Sequence, residues 1–310
     1  MKALLARTYG PLEHLEIGDL PRPAPGPGQL LVRVEAAAVN PIDVALVTGR
    51  LRAELPVRHP FVPGVDVSGV VAAVGAGTGP FAIGDAVIAW KGVPSGAFAE
   101  YTIVRADDSA AVRPAGLDAR RGAALPTGAL TAAALLDEAG LGPGSTLLVV
   151  GATGGLGSYT VQLAKRAGAT VFATGRTGDG GYLRNLGADD VIDYSTENVA
   201  ERIRDRAPDG VDAVIDVAQA GPALASSAAA VKPGGLVVSP LGGPPSFDRN
   251  VTARYTGTTT PTGRLAELAG LAATGDLRVE IDREYPFTEA RQALTDFAGR
   301  HVRGKLVITF

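Results

Sequence analysis

The sequence predicts an α/β protein: a β-rich segment joined to a doubly wound parallel sheet. Two textures and one loop predict it. The first third is punctuated by Pro and Gly, at Pro21, Pro23, Pro25, Pro27, Pro41, Pro60 and the Pro63-Gly64 pair. Short β-branched runs at 30–34, 65–74 and 85–89 lie between the breaks and read as strands joined by turns, so this region is expected to be all-β. From about Arg120 strands alternate with helices, which implies parallel βαβ units. An alanine-rich helix is expected at 129–139 and a further helix at 156–167. Strands are expected at 146–150, 170–174, 190–192, 213–217 and 236–239. Near the C-terminus the spacing predicts helices at 264–273 and 288–297 and strands at 278–281 and 305–310. No internal repeat or charged tail interrupts the pattern.

Composition narrows the function classes. A chain of 310 residues with 46% hydrophobic and 20% charged side chains suits a globular protein of two domains. The formal net charge is -3 and the histidines are scattered at His14, His59 and His301, so no basic surface proposes itself for nucleic acid. The chain has no cysteine, which excludes disulfides, thiolate zinc sites, iron–sulfur clusters and a cysteine nucleophile. The apolar run at the N-terminus is too short for a signal segment, and no stretch reaches membrane-spanning length. A cytoplasmic location is the expectation by default.

The loop carries the chemistry. Thr146-Leu147-Leu148-Val149-Val150 runs into Gly151-Ala152-Thr153-Gly154-Gly155-Leu156-Gly157 and then into a helix. A glycine turn alone fits a tight strand-to-helix connection. Placed between a buried strand and a helix start, it fits a dinucleotide site, where backbone amides and the helix dipole meet a pyrophosphate. The next strand ends at Gly175-Arg176-Thr177, without the acid that holds the ribose hydroxyls of NAD. Arg176 reads either as a solvated loop charge or as a grip for the ribose phosphate of NADPH.

These segments resemble the medium-chain dehydrogenase/reductase superfamily, and within it the zinc-free quinone oxidoreductase (zeta-crystallin-like) group. The resemblance runs nearly end to end, through Ala38-Val39-Asn40-Pro41-Ile42-Asp43, Pro63-Gly64-Val65-Asp66, Gly96-Ala97-Phe98-Ala99-Glu100-Tyr101, Leu125-Pro126-Thr127-Gly128, the glycine loop, Leu186-Gly187-Ala188-Asp189 and Arg303-Gly304-Lys305. It implies a GroES-like β-rich catalytic domain at 1–120 and 258–310, interrupted by a Rossmann NADPH-binding domain at 121–257. In zinc-dependent relatives the catalytic metal uses a cysteine where Asn40 stands, a histidine where Val65 stands and a cysteine near Thr127. No metal site is expected here. Relatives commonly pair through an edge strand of the nucleotide domain, which implies a homodimer.

Candidate residues follow, each with a plainer reading beside it. Asn40 is a candidate to donate a hydrogen bond to a carbonyl oxygen as charge grows on it, or caps the turn before Pro41. Asp43 is a candidate orienting group or a buried structural acceptor. Lys91, beside Trp90, reads first as a surface lysine and second as a substrate contact. Thr127 and Thr131 begin a helix and either reach a phosphate or cap it. By resemblance, Tyr194 packs near the adenine, Leu241, Gly242 and Gly243 pass the nicotinamide, and residues 258–260 line the same wall. Positions Val47 and Leu51 lack the arginine or tyrosine that many relatives place after the Asn-Pro pair.

The expected activity is NADPH-dependent, zinc-independent hydride transfer to a quinone or an α,β-unsaturated carbonyl compound. An enoyl-thioester or polyketide enone reductase of the same superfamily is the alternative enzyme. A non-catalytic NADPH-binding sensor or structural protein is the alternative of another class. A short-chain reductase is rejected, because no tyrosine precedes a lysine by four residues and the glycine loop lies mid-chain.

Overall fold

The computed structural model describes residues 1–93 and 95–310. They form two compact units, one from Met1–Thr127 with Thr260–Phe310 and one from Gly128–Thr259. The expected breaks at 120/121 and 257/258 are displaced to 127/128 and 259/260. The first shift has a packing cause: Ala123 and Ala124 of the helix Ala119–Ala124 are fully buried against Ala36, Ala38 and Val307 of the first unit.

The first unit is built on a mixed sheet of long strands. Gln29–Ala38 pairs antiparallel with Asp66–Val74 on one side and with Lys305–Thr309 on the other. Ile281–Pro286 joins the edge parallel to Lys305–Thr309, and Ala86–Trp90 follows Asp66–Val74. The final strand therefore joins Ile281–Pro286 to strands from the N-terminal part of the chain in one sheet. Leu4, Leu30, Val32, Val67, Val87, Phe98 and Leu306 fill the core between the layers.

Two expectations fail in this unit. The region read as all-β contains a helix, Pro41–Thr48, started by a proline at its first position, where the missing N–H costs nothing. Its valines and isoleucine read as strand by propensity, but tertiary packing of Val44, Leu46 and Val47 overrides that preference. The strand expected at 278–281 lies instead at Ile281–Pro286, where Tyr285 alone is buried, so charged residues hide the signal.

The second unit is doubly wound. Its strands lie in the order Asp190–Asp193, Thr170–Gly175, Thr146–Val150, Val211–Asp216, Val231–Ser239 and Val251–Tyr255, all parallel, with Ser246–Phe247 antiparallel at the far edge. Successive side chains point to opposite faces and both faces are covered, which is why these strands read as unbroken apolar runs. Leu147 and Val149 pack with Val161, Ala164 and Leu183 from the helices Gly155–Arg166 and Gly180–Asn185. Leu148 packs with Ile203, Leu224 and Ala228 on the other face.

Chain order reverses at Thr146–Val150, whose neighbours are the strand after it and the strand Val211–Asp216. In an open parallel sheet, ligands bind outside the carboxyl end at such a switch point. Residues 151–157 occupy that position. A Cβ on Gly157 would meet the Gly151 carbonyl oxygen at 2.2 Å and the Ala152 Cα at 2.6 Å, so helix and strand approach through backbone that cannot yield. Gly157→Ala is therefore expected to cost about 1–3 kcal/mol, read as a lower urea midpoint. Gly181→Ala, where an added Cβ meets nothing within 4 Å, should not lower it.

Candidate functional site

The glycine turn has the geometry of an anion cradle. Gly154 caps the helix Gly155–Arg166 in an extended conformation, and Gly151, at φ +82°, turns the chain off the strand. The Gly151 amide donates to Thr174 Oγ1 at 3.2 Å, which ties the turn to the next strand. The amides of Gly155, Leu156 and Gly157 form the first helical turn and have no intrahelical acceptor, so they and the helix dipole favour a negative group. Ala152 and Thr153 are buried behind them. A dinucleotide pyrophosphate fits this backbone.

The loop after Thr170–Gly175 brings two expected residues together. Arg176 Nε donates to the Tyr194 hydroxyl at 2.7 Å, and the guanidinium carbon lies 5.9 Å from the centre of the tyrosine ring. That bond uses Nε and leaves the two Nη groups. An acid at position 175 is excluded by space, since a Cβ there would meet Asp179 Cβ at 2.8 Å and Leu183 Cδ1 at 2.9 Å. Two carboxylates that sequence reasoning missed share the loop. Asp179 Oδ2 accepts from the Arg176 amide at 2.7 Å, and Asp193 accepts from Thr177 Oγ1 and Ser195 Oγ, each at 2.5 Å. Those bonds, Ser195 first, hold the Asp193 carboxyl below the usual carboxylate range. The spacing of Arg176 to Asp179 in an i, i+3 turn was the available signal for the first.

The remaining nucleotide-side candidates, Thr131, Leu241 and Gly242, belong to the second unit. Thr131 and Thr258 share a hydrogen bond between hydroxyls at 2.7 Å. Leu241 is 46% exposed, its amide held by Ser239 Oγ, and Gly242 accepts from the Gly221 amide with its own φ at +73°.

In the first unit, Asn40, Asp43, Asp66, Thr127 and Lys305 form one buried polar cluster. Lys305 Nζ donates to Asn40 Oδ1 at 2.5 Å and stands 3.7 Å from Asp66 Oδ2. Asn40 Nδ2 donates to Asp66 Oδ2 at 2.9 Å and to the Ala38 carbonyl at 3.2 Å. An ammonium can only donate, so the amide orientation is settled by Lys305. Both Asn40 N–H groups are thus occupied, which corrects the expectation that Asn40 offers a donor to a substrate carbonyl. Thr127 donates to Asp66 Oδ1 from its amide at 3.0 Å and its hydroxyl at 2.6 Å, which corrects its assignment as a phosphate contact.

Asp43 is fully buried and accepts backbone amides on both oxygens, from Asn40 and Gly64, each at 2.9 Å. Its role is to position the start of the helix Pro41–Thr48 against the Gly64 turn, the plainer of its two readings. Burial pushes its carboxyl up to about 7 against the pull of those amides. Burial likewise raises Asp66 and lowers Lys305, while their mutual attraction opposes both shifts.

Lys91 is also corrected. It is half-buried, its Nζ donates to the Ile103 carbonyl, and burial pushes its amine down to about 8. It lines a cavity of about 650 Å³ in the first unit together with Leu55, Val57, Phe61, Val62 and Tyr101. The signal in the sequence was its position directly after the buried run of the strand Ala86–Trp90.

Residues 26–114 match the alcohol dehydrogenase GroES-like domain, and residues 186–308 match the zinc-binding dehydrogenase family. The chloroplast envelope quinone oxidoreductase homolog of Arabidopsis thaliana is 31% identical over 99% of this chain and 98% of its own. The chloroplastic NADPH-dependent alkenal/one oxidoreductase of Arabidopsis thaliana is 32% identical over 99% of this chain and 79% of its own. The quinone oxidoreductase from Coxiella burnetii superposes with a TM-score of 0.89 at 30% identity, covering 100% of this chain and 99% of its own. The two units are accordingly a GroES-like domain and a Rossmann-like domain, whose glycine turn suits the nicotinamide cofactor of this dehydrogenase architecture. With 31% identity over nearly the whole of both chains and family models matched in both units, the chain belongs to the quinone oxidoreductase group of the medium-chain dehydrogenase/reductase superfamily.

Proposed function

We propose that the protein is an NADPH-dependent, zinc-independent reductase of quinones and α,β-unsaturated carbonyl compounds. Kinship with proteins named for quinone and alkenal/one reduction supports the reaction class. The observation that carries the choice of cofactor is Arg176, held by Tyr194 beside a glycine whose place admits no acid. The reduced nicotinamide supplies the hydride. The amides of residues 155–157 hold the pyrophosphate, and Arg176 grips the ribose phosphate with its free guanidinium edge.

Zinc independence rests on residue type. Asn40, Val65 and Thr127 stand where zinc-dependent relatives place their ligands, and the Lys305 ammonium bonded to Asn40 would repel a cation. Among the described residues no group of three or more His, Asp or Glu side chains is placed to hold a metal. No helix among them is long and apolar enough to cross a membrane. A homodimer through an edge strand of the second unit is proposed from kinship, and a monomeric mass by light scattering at micromolar concentration would refute it.

Turnover is tested by NADPH oxidation with a panel of quinones and enones; tight NADPH binding with no oxidation of any would favour a sensor instead. Exhaustive chelation should leave the rate unchanged, and activity lost on chelation and restored by zinc would refute metal independence. Arg176→Ala should raise the dissociation constant for NADPH about tenfold, the loss of one charge-assisted pair at an exposed site, and leave that for NADH unchanged. Calorimetric titration of both cofactors checks it, and equal weakening of the two would place Arg176 on shared parts of the ligand or on folding.

A further inference from the structure

We infer that the cavity of the first unit is a binding site for an aliphatic monocarboxylate, with Lys91 Nζ holding the carboxylate and the apolar wall holding the chain. The inference is independent of the reductase reading above. Every residue that lines the cavity falls within 1–103, so the site is built by the first unit alone.

A desolvated amine needs partners. Lys91 directly follows the strand Ala86–Trp90, and its amide donates to the Val65 carbonyl at 2.7 Å, so the sheet fixes where the side chain starts. Its Nζ gives one hydrogen to the Ile103 carbonyl, and an ammonium carries three. No carboxylate pairs with Lys91 among the described residues, and burial alone pushes its amine down to about 8. A cation that has lost part of its hydration without gaining a counter-charge is costly, and an anion placed beside it offsets that cost through a charge-assisted hydrogen bond. The other ionisable groups on the wall are Glu54 and Arg58, both exposed, with Tyr101 and the Met1 amine, which donates to the Leu20 carbonyl at 2.9 Å. The Arg22 guanidinium covers the Tyr101 ring at 3.9 Å, which adds to the positive charge on this side of the unit.

The rest of the wall selects the body of the ligand. Leu55, Val57, Phe61, Val62 and Ile103 line a space of about 650 Å³, a size that suits a small organic molecule. A small inorganic anion would leave that wall wet, and a hydrocarbon would leave the ammonium unpaired. A chain that ends in a carboxylate satisfies both. The carboxylate binds the protonated amine, so affinity is full below about pH 8 and falls as pH rises through it.

Decanoate is the probe, titrated by calorimetry into the full chain without cofactor, with decan-1-ol as its uncharged counterpart. Decanoate should bind once per chain and more tightly than decan-1-ol. Lys91→Met should weaken decanoate about tenfold, abolish the fall in affinity at alkaline pH, and leave decan-1-ol binding and the thermal midpoint no lower than in the wild type. Lys91→Arg should hold decanoate more tightly than Lys91→Met does and also lose the alkaline fall, since its charge does not titrate in this range. No binding of decanoate, or equal affinity in wild type and Lys91→Met, would overturn the inference. An alkaline fall that persists in Lys91→Arg would place the anchor on another cation of the wall, such as the Met1 amine, and overturn the assignment to Lys91. None of these measurements involves NADPH, so their failure leaves the reductase reading intact.

Discussion

Lys305 carries its ammonium into the interior of the first unit, 5% exposed, and bonds a side chain 265 residues away in sequence. A charge placed there alone would be expelled or neutralised, because the low-dielectric interior replaces none of its hydration. Asp66 supplies the opposite charge, Asn40 bridges the two, and Thr127 satisfies the second carboxylate oxygen. Four segments distant in the chain are thereby fixed to one another: the cap of the helix Pro41–Thr48, the strand Asp66–Val74, the start of the helix Pro126–Ala139 and the final strand. Removing one partner of such a buried pair costs about 3–5 kcal/mol, since the other is left charged and unpaired.

The same satisfaction limits what these residues do. A hydrogen-bonded network whose Asn40 and Thr127 donors all point inward is rigid, and those side chains orient their surroundings rather than offering a donor to a substrate. Asn40 and Asp43 hold the entry to the helix Pro41–Thr48, and Asp43 ties it to Gly64.

The nucleotide unit solves a different problem with backbone. Its binding turn depends on Gly157 having no side chain, because the helix start lies against the Gly151 carbonyl. The loop after Thr170–Gly175 depends on side chains. Arg176 is steered by Tyr194, while the acids around it, Asp179 and Asp193, spend their oxygens on local donors and so keep the loop closed in one shape.

Much of this was legible in the amino-acid order. The strand at 146–150 was read with the bounds the structure has, because a strand buried on both faces is an unbroken apolar run ended by glycine. The glycine turn, the missing acid after Thr174 and the loss of metal-ligand residue types were equally plain, since each is a property of residues adjacent in sequence or of side-chain chemistry alone. The helix Pro41–Thr48 and the strand Ile281–Pro286 were not, because packing against distant segments outweighs weak local preference there. The same holds for the sites. Sequence placed Asn40 and Thr127 at helix starts, with capping as one reading of each, but did not show the bonds that turn their donors inward. Whether a donor is free, and whether a lysine is solvated, depends on which groups the folded chain brings within hydrogen-bond distance, and for Asn40 that group was the amine of Lys305 at the other end of the protein.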